Sequence, residues 1–128
     1  MTELSIQQTA KKTGLSTDTL RYYERIGLLR PNRDASSRHR RYTQTDLAWI
    51  QFLNHLRSTG MPLSEIRDYL ALFLQGDQTL AMRLTMLEAH AKQVEQQIAD
   101  LQANLVAIRH KIAHSKECTT KPTTETES

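Results

Sequence analysis

The chain holds a single cysteine, Cys118, in 128 residues. That excludes an intramolecular disulfide framework and a zinc site built on paired cysteines. Glycine is also scarce: there are four, at positions 14, 27, 60 and 76, and each stands where a helical pattern stops. No apolar run approaches the ~20 residues that a membrane-spanning helix needs. The start, Met1-Thr2-Glu3-Leu4, lacks the basic and apolar segments of a signal peptide, so a cytoplasmic location is expected. No helix or loop offers a nucleophile beside a base in a pocket. Neither an enzyme activity nor a cofactor is therefore expected. The length suffices for one or two small domains with a modest core.

The formal charge of +3 is unevenly spread. Residues 1–74 hold eleven Lys and Arg against seven Asp and Glu, whereas residues 75–128 hold six against seven. The basic excess falls where arginines and tyrosines cluster, first in Arg21-Tyr22-Tyr23-Glu24-Arg25 and again in Arg38-His39-Arg40-Arg41-Tyr42. A surface of that kind faces phosphate.

Read in order, Ser5-Ile6-Gln7-Gln8 is a capping box that opens a first helix, packed by Ile6, Ala10 and Leu15 and closed at Gly14. Ser16-Thr17-Asp18-Thr19 then opens a second helix, with Leu20, Tyr23 and Ile26 on its core face and Thr17, Asp18 and Arg21 on the other. Two short helices about a glycine turn, the second basic and aromatic, are the helix-turn-helix arrangement that enters a DNA major groove. Residues 31–37 read as a loop and 39–43 as a strand, together a wing. Thr43-Gln44-Thr45-Asp46 opens a third helix, apolar over a wide arc, which Gly60 ends. A fourth, amphipathic through Ile66, Tyr69, Leu70 and Phe73, ends at Gly76.

The last element has the clearest period. Leu80, Leu84, Leu87, Ala91, Val94, Ile98, Leu101, Leu105, Ile108 and Ile112 alternate in steps of four and three. That is a heptad seam, and a small domain cannot bury it without a partner helix, so a coiled-coil homodimer is expected. Asp77 is placed as the cap of this helix, which is expected to end near Ser115. The expected fold is mainly all-α. A winged helix-turn-helix head (1–76) is followed by a coiled-coil dimerisation helix (77–115) and a flexible tail (116–128).

These features resemble the MerR family of bacterial transcription regulators. The motifs that carry the resemblance are Thr13-Gly14-Leu15-Ser16, Thr19-Leu20-Arg21-Tyr22-Tyr23-Glu24 and Ile26-Gly27-Leu28-Leu29-Arg30-Pro31. Arg41-Tyr42 with Asp46-Leu47, and Gly60-Met61-Pro62-Leu63-Ser64-Glu65-Ile66, follow in the family's order. Trp49-Ile50-Gln51-Phe52 and Asp68-Tyr69-Leu70-Ala71-Leu72-Phe73 look like the aldehyde- and electrophile-responsive branch. The resemblance implies a DNA face made of Ser16, Thr17, Asp18, Arg21 and Tyr22 with the wing residues Arg38, Arg40, Arg41 and Tyr42. Arg21 and Tyr22 suit phosphate oxygens. Asp18 would accept from a cytosine amino group, or serve only as an acid at a helix N-terminus. The resemblance also implies an antiparallel helix pair in the dimer. Its partner is double-stranded promoter DNA with an over-long spacer, which the dimer bends and untwists so that RNA polymerase can use it.

The signal stays open at this level. His55 stands where the electrophile-responsive branch often carries a cysteine, leaving Cys118 as the one thiol; these two are the candidate sensing residues. His110, His114 and Cys118 share a helical face and could bind zinc or copper. However, the start of the seam, Gly76-Asp77-Gln78, lacks the thiol of metal-sensing relatives, and no metal site is expected. The alternatives are a metal-responsive regulator of the same fold, or a coiled-coil adaptor or nucleoid protein that senses nothing.

Overall fold

A computed structural model describes residues 3–30, 32–33 and 39–120, with the side chains at 32, 33 and 120 excepted. Five helices and a two-stranded antiparallel ribbon make up these residues: α1 (Ile6–Thr13), α2 (Thr17–Arg25), β1 (Asn32–Arg33), β2 (Arg40–Arg41), α3 (Gln44–Ser58), α4 (Leu63–Gln75) and α5 (Leu80–Thr120). Asn32 pairs with Arg41 and Arg33 with Arg40. The expected helix-turn-helix is present, and the expected strand forms at Arg40–Arg41, but its partner is Asn32–Arg33, which was expected to be loop.

Local chemistry sets these boundaries. Ser5 Oγ accepts from the Gln8 N–H while Gln8 Oε1 accepts from the Ser5 N–H, and Thr43 and Asp46 exchange the same pair of bonds at the start of α3. Gly14 closes α1 at φ 79°, a left-handed geometry that costs glycine nothing. The Asn54 amide reaches the Thr13 carbonyl at 3.5 Å.

Leu20, Leu28, Ile50, Leu53, Met61 and Ile66 are wholly enclosed. Each contributes about 1.5–3 kcal/mol of burial, and together they weld α2, α3 and α4 into one core. An aromatic layer lies beside them. Trp49 stacks on Tyr69 with ring centroids 6.2 Å apart, Phe52 tilts against both, and Trp49 Nε1 donates to the Leu28 carbonyl at 2.8 Å. That last bond fixes the segment leaving α2 onto α3.

The first compact unit extends past residue 76, to Met86. Gly76 turns the chain at φ 104°, ψ −166°, a region open essentially to glycine alone. Asp77–Thr79 form a single 3₁₀ turn in which Asp77 makes no capping bond, contrary to the role expected for it. Thr79 holds the turn instead. Its hydroxyl donates to the Leu72 carbonyl at 2.6 Å and accepts from Arg83 Nε at 3.0 Å. Arg83 is itself buried, donating to the Gly76 carbonyl at 3.3 Å and lying over the Phe73 ring at 5.2 Å. Those two residues carry the compact unit beyond the expected boundary.

The second unit begins at Leu87 and is helix throughout its described residues. α5 runs to Thr120 rather than to Ser115. Residues 116–120, expected as tail, contain no glycine or proline to stop the helix, and Thr119 bonds back to the Lys116 carbonyl at 2.8 Å. The rest of the expected tail, 121–128, lies outside the described residues. Seven of the ten seam residues are at least 44 % exposed in the single chain, which is the apolar stripe that a partner helix would cover.

Thr79→Val is expected to lower unfolding free energy by about 1–3 kcal/mol, because it strands a carbonyl and a guanidinium N–H. Thr85→Val, on an exposed face, should stay within about 0.5 kcal/mol. Denaturant titration at one protein concentration compares them.

Candidate nucleic-acid interface

α2 carries the densest set of predicted contacts. Ser16 is committed to the helix: its Oγ accepts from the Thr19 N–H at 3.0 Å. Thr17 and Asp18 follow, and Arg21 Nη1 lies 3.5 Å from Thr17 Oγ1 and 3.4 Å from Asp18 Oδ1. The Asp18–Arg21 pair is solvent-exposed and contributes little to stability. It orients Arg21 instead, and opening it costs little when a phosphate competes. One turn on, Tyr22 is exposed, and the Arg25 guanidinium lies 5.5 Å from its ring centroid. This cation–π contact holds Arg25 along the face that Tyr22 presents. Tyr23 turns inward and is buried, as its spacing predicts.

The wing supplies the second half. Arg40 is ion-paired with Glu24 of α2, both side chains being largely shielded from solvent. Arg21, Glu24, Arg25 and Arg40 line one open cleft, so the two basic clusters, far apart in sequence, meet on one surface. Arg41 is half-buried and His39 exposed. Arg38 lies outside the described residues.

Tyr42 departs from the expectation that it faces DNA. Its backbone exchanges two 2.8 Å hydrogen bonds with Leu4, and its side chain is fully buried. Successive strand residues point to opposite faces, so with Tyr42 inward the neighbouring Arg41 is directed away from the core. The Tyr42 hydroxyl has no hydrogen-bond partner among the described residues. Burial pushes its pKa above the ordinary value, and Glu24 and Asp46 add to the rise while Arg40 and Arg21 oppose it.

Glu24 and Arg25 were not among the predicted contacts. A carboxylate inside a basic cluster is the signal that could have marked Glu24 as an anchor. Arg25 was visible beside Tyr22, but its stacking depends on the folded helix.

The two candidate sensing residues lie apart in the sequence. His55, on α3, is exposed. Cys118 is exposed on α5, with its Sγ 3.8 Å from His114 Nε2. Among the described residues no three His, Cys, Asp or Glu side chains converge to hold a metal ion. An apolar cavity of about 190 Å³ lies in the head between the α2 exit, α3 and α4, lined by residues including Leu28, Trp49, Leu70 and Phe73.

Residues 4–72 match the family model for the MerR HTH family regulatory protein, and residues 47–111 match that for the MerR DNA-binding region. An uncharacterized HTH-type transcriptional regulator of Haemophilus influenzae is 40% identical over 83% of this chain and 78% of its own length. The HTH-type transcriptional regulator AdhR of Bacillus subtilis is 39% identical over 66% of this chain and 60% of its own. Among solved structures, HiNmlR, a MerR family regulator lacking the sensor domain and bound to promoter DNA, superposes with a TM-score of 0.84. It is 34% identical, over 92% of this chain and 94% of that one.

Tyr42→Phe removes a buried hydroxyl that has no partner, so stability at neutral pH should be equal or slightly higher. An acid whose folded pKa is raised contributes stability below its ordinary pKa of 10.0 and loses it as pH climbs through the folded value. The wild type should therefore fall behind Tyr42→Phe progressively above pH 10. Melting curves of both proteins across that range test this.

Proposed function

Because the chain belongs to the MerR family of DNA-binding transcription regulators, we propose that it remodels a promoter whose spacer is too long for RNA polymerase, in response to an electrophile such as an aldehyde. It is not an enzyme; its partners are promoter DNA and a second copy of itself. The observation that carries the promoter reading is the meeting of Arg21, Tyr22 and Arg25 with Arg40 on one surface. Two such surfaces in a dimer fit a pseudo-palindrome. Thr17 and Asp18, at the start of α2, are the base-reading candidates, and the arginines grip backbone. Bending and untwisting duplex DNA costs several kcal/mol, and backbone contacts of this kind are what offset it.

The electrophile reading is supported by two observations. The strings around Trp49 and Asp68 resemble those of the electrophile-responsive branch. Cys118 is an exposed thiol, the nucleophilic group that an electrophile such as an aldehyde would meet on α5. His55, also exposed, is a poor trap for an aldehyde. The metal-responsive alternative lacks a third ligand among the described residues.

Affinity for a duplex selected by this protein should fall steeply with salt, by about 0.9 in the log–log slope for each phosphate neutralised. Arg21→Ala should flatten that slope by roughly 1.8, since the dimer presents the residue twice. In vitro transcription tests the signal. A small aldehyde should induce the wild type and leave Cys118→Ala unresponsive, and shortening the spacer to ordinary length should make transcription independent of the protein. Induction of Cys118→Ala equal to the wild type would remove the thiol from the mechanism.

A further inference from the structure

The apolar cavity of about 190 Å³ in the head is walled by segments that meet only in the fold. Leu28 and Leu29 come from the α2 exit, Tyr42 follows β2, Trp49 belongs to α3, and Leu70 belongs to α4. Leu28, Leu29 and Tyr42 are buried, and Trp49 is fixed by its bond to the Leu28 carbonyl. Arg30, Thr45, Phe73 and Leu74 are the exposed members of the lining and mark its mouth. Such a space is smaller than the ~300–1,000 Å³ sites of drug-sized ligands. It is larger than an apolar cavity of ~150 Å³, which is enough to hold benzene.

Tyr42 sets the chemistry of the wall. Its side chain is fully enclosed, yet its hydroxyl has no hydrogen-bond partner among the described residues. Buried phenols ordinarily find one. Burial, Glu24 and Asp46 raise its pKa, so at neutral pH it keeps its proton and offers a donor. Nothing on the wall suits an ionised ligand. Arg30 is exposed, and the Asp46 carboxylate is engaged by the Thr43 N–H at the start of α3.

We propose that this cavity is a reversible binding site for a small uncharged carbonyl compound. The apolar body lies between Leu28, Trp49 and Leu70, and the carbonyl oxygen accepts from the Tyr42 hydroxyl. The inference rests on the electrophile reading above and gives that class of compound a site in the head, separate from the Cys118 thiol. No covalent bond is made or broken there. Occupancy bears on two places at once. Tyr42 directly follows the strand of Arg40 and Arg41, and Phe73, at the mouth, lies under the Arg83 guanidinium at 5.2 Å. A ligand favours whichever arrangement of wing and junction it fits better.

Benzaldehyde and toluene, which share a ring but not a carbonyl, are the probes. Trp49 is the single tryptophan, so its indole N–H gives one nuclear magnetic resonance signal that reports from the cavity wall. In the full-length protein without DNA, both probes should shift that signal saturably and reversibly. Benzaldehyde should bind about fivefold more tightly. Tyr42→Phe should reduce benzaldehyde to the affinity of toluene and leave toluene unchanged. Leu70→Trp, which fills the cavity, should abolish both shifts. Cys118→Ala should bind both probes as the wild type does. Absence of a saturable shift in the wild type overturns the site, as it would if a partner helix filled the cavity. So does unchanged benzaldehyde affinity in Tyr42→Phe, or equal loss of both probes. If Leu70→Trp does not melt normally, the Tyr42→Phe comparison decides alone. Benzaldehyde binding lost in Cys118→Ala would assign it to the thiol, overturning the cavity while leaving the electrophile reading intact. That reading fails separately, if aldehyde induces no transcription from the wild type.

Discussion

Two backbone hydrogen bonds between Leu4 and Tyr42 hold the candidate DNA surface together. They join the chain just before α1 to the end of β2, so the first helix and the wing cannot move independently. With the Tyr42 ring locked in the core, alternation along the strand sends Arg41 the other way. The Glu24–Arg40 ion pair makes the matching connection between β2 and α2. Arg21, Arg25, Arg40 and Arg41 each take their position from one of these two ties or from α2 itself.

Carboxylates inside this basic surface follow the same logic. Asp18 and Glu24 both sit on α2 and both face arginines, but their environments differ. Asp18 is almost fully exposed, so its hold on Arg21 is screened and easily exchanged for a phosphate. Glu24 and Arg40 are both shielded, and breaking that pair would leave a charge in a poorly solvated place. One pair therefore keeps an arginine available, whereas the other fixes the wing. The same sign of charge serves recognition in one place and geometry in the other.

The junction after α4 solves a different problem. Within the compact unit that ends at Met86, a bare glycine turn after α4 would leave its carbonyls open. Thr79 and Arg83 convert the turn at Gly76 into a bonded unit by taking up carbonyls left open at the end of α4. Burying a guanidinium is costly unless its donors are satisfied, and the Thr79 hydroxyl, the Gly76 carbonyl and the Phe73 ring supply the compensation.

The helix-turn-helix, its caps, the second strand of the wing and the heptad seam were legible in the chain, because each rests on short-range chemistry. A serine two or three residues from an open N–H, or an apolar residue every three or four positions, acts through neighbours the sequence itself fixes. Tyr42 was misplaced for the opposite reason. In a run of arginines it reads as one more contact, and only the pairing with Leu4, thirty-eight positions away, decides which face it takes. The end of α5 was set too early because a polar composition was taken for a stop, although no glycine or proline stands before Thr120. The sequence by itself determined the helices, the caps that open α1, α2 and α3, and the need for a partner stripe. The tertiary structure decided which arginines share a surface and that Glu24 anchors the wing. Those relations join residues distant along the chain, and only the packed core brings them within reach.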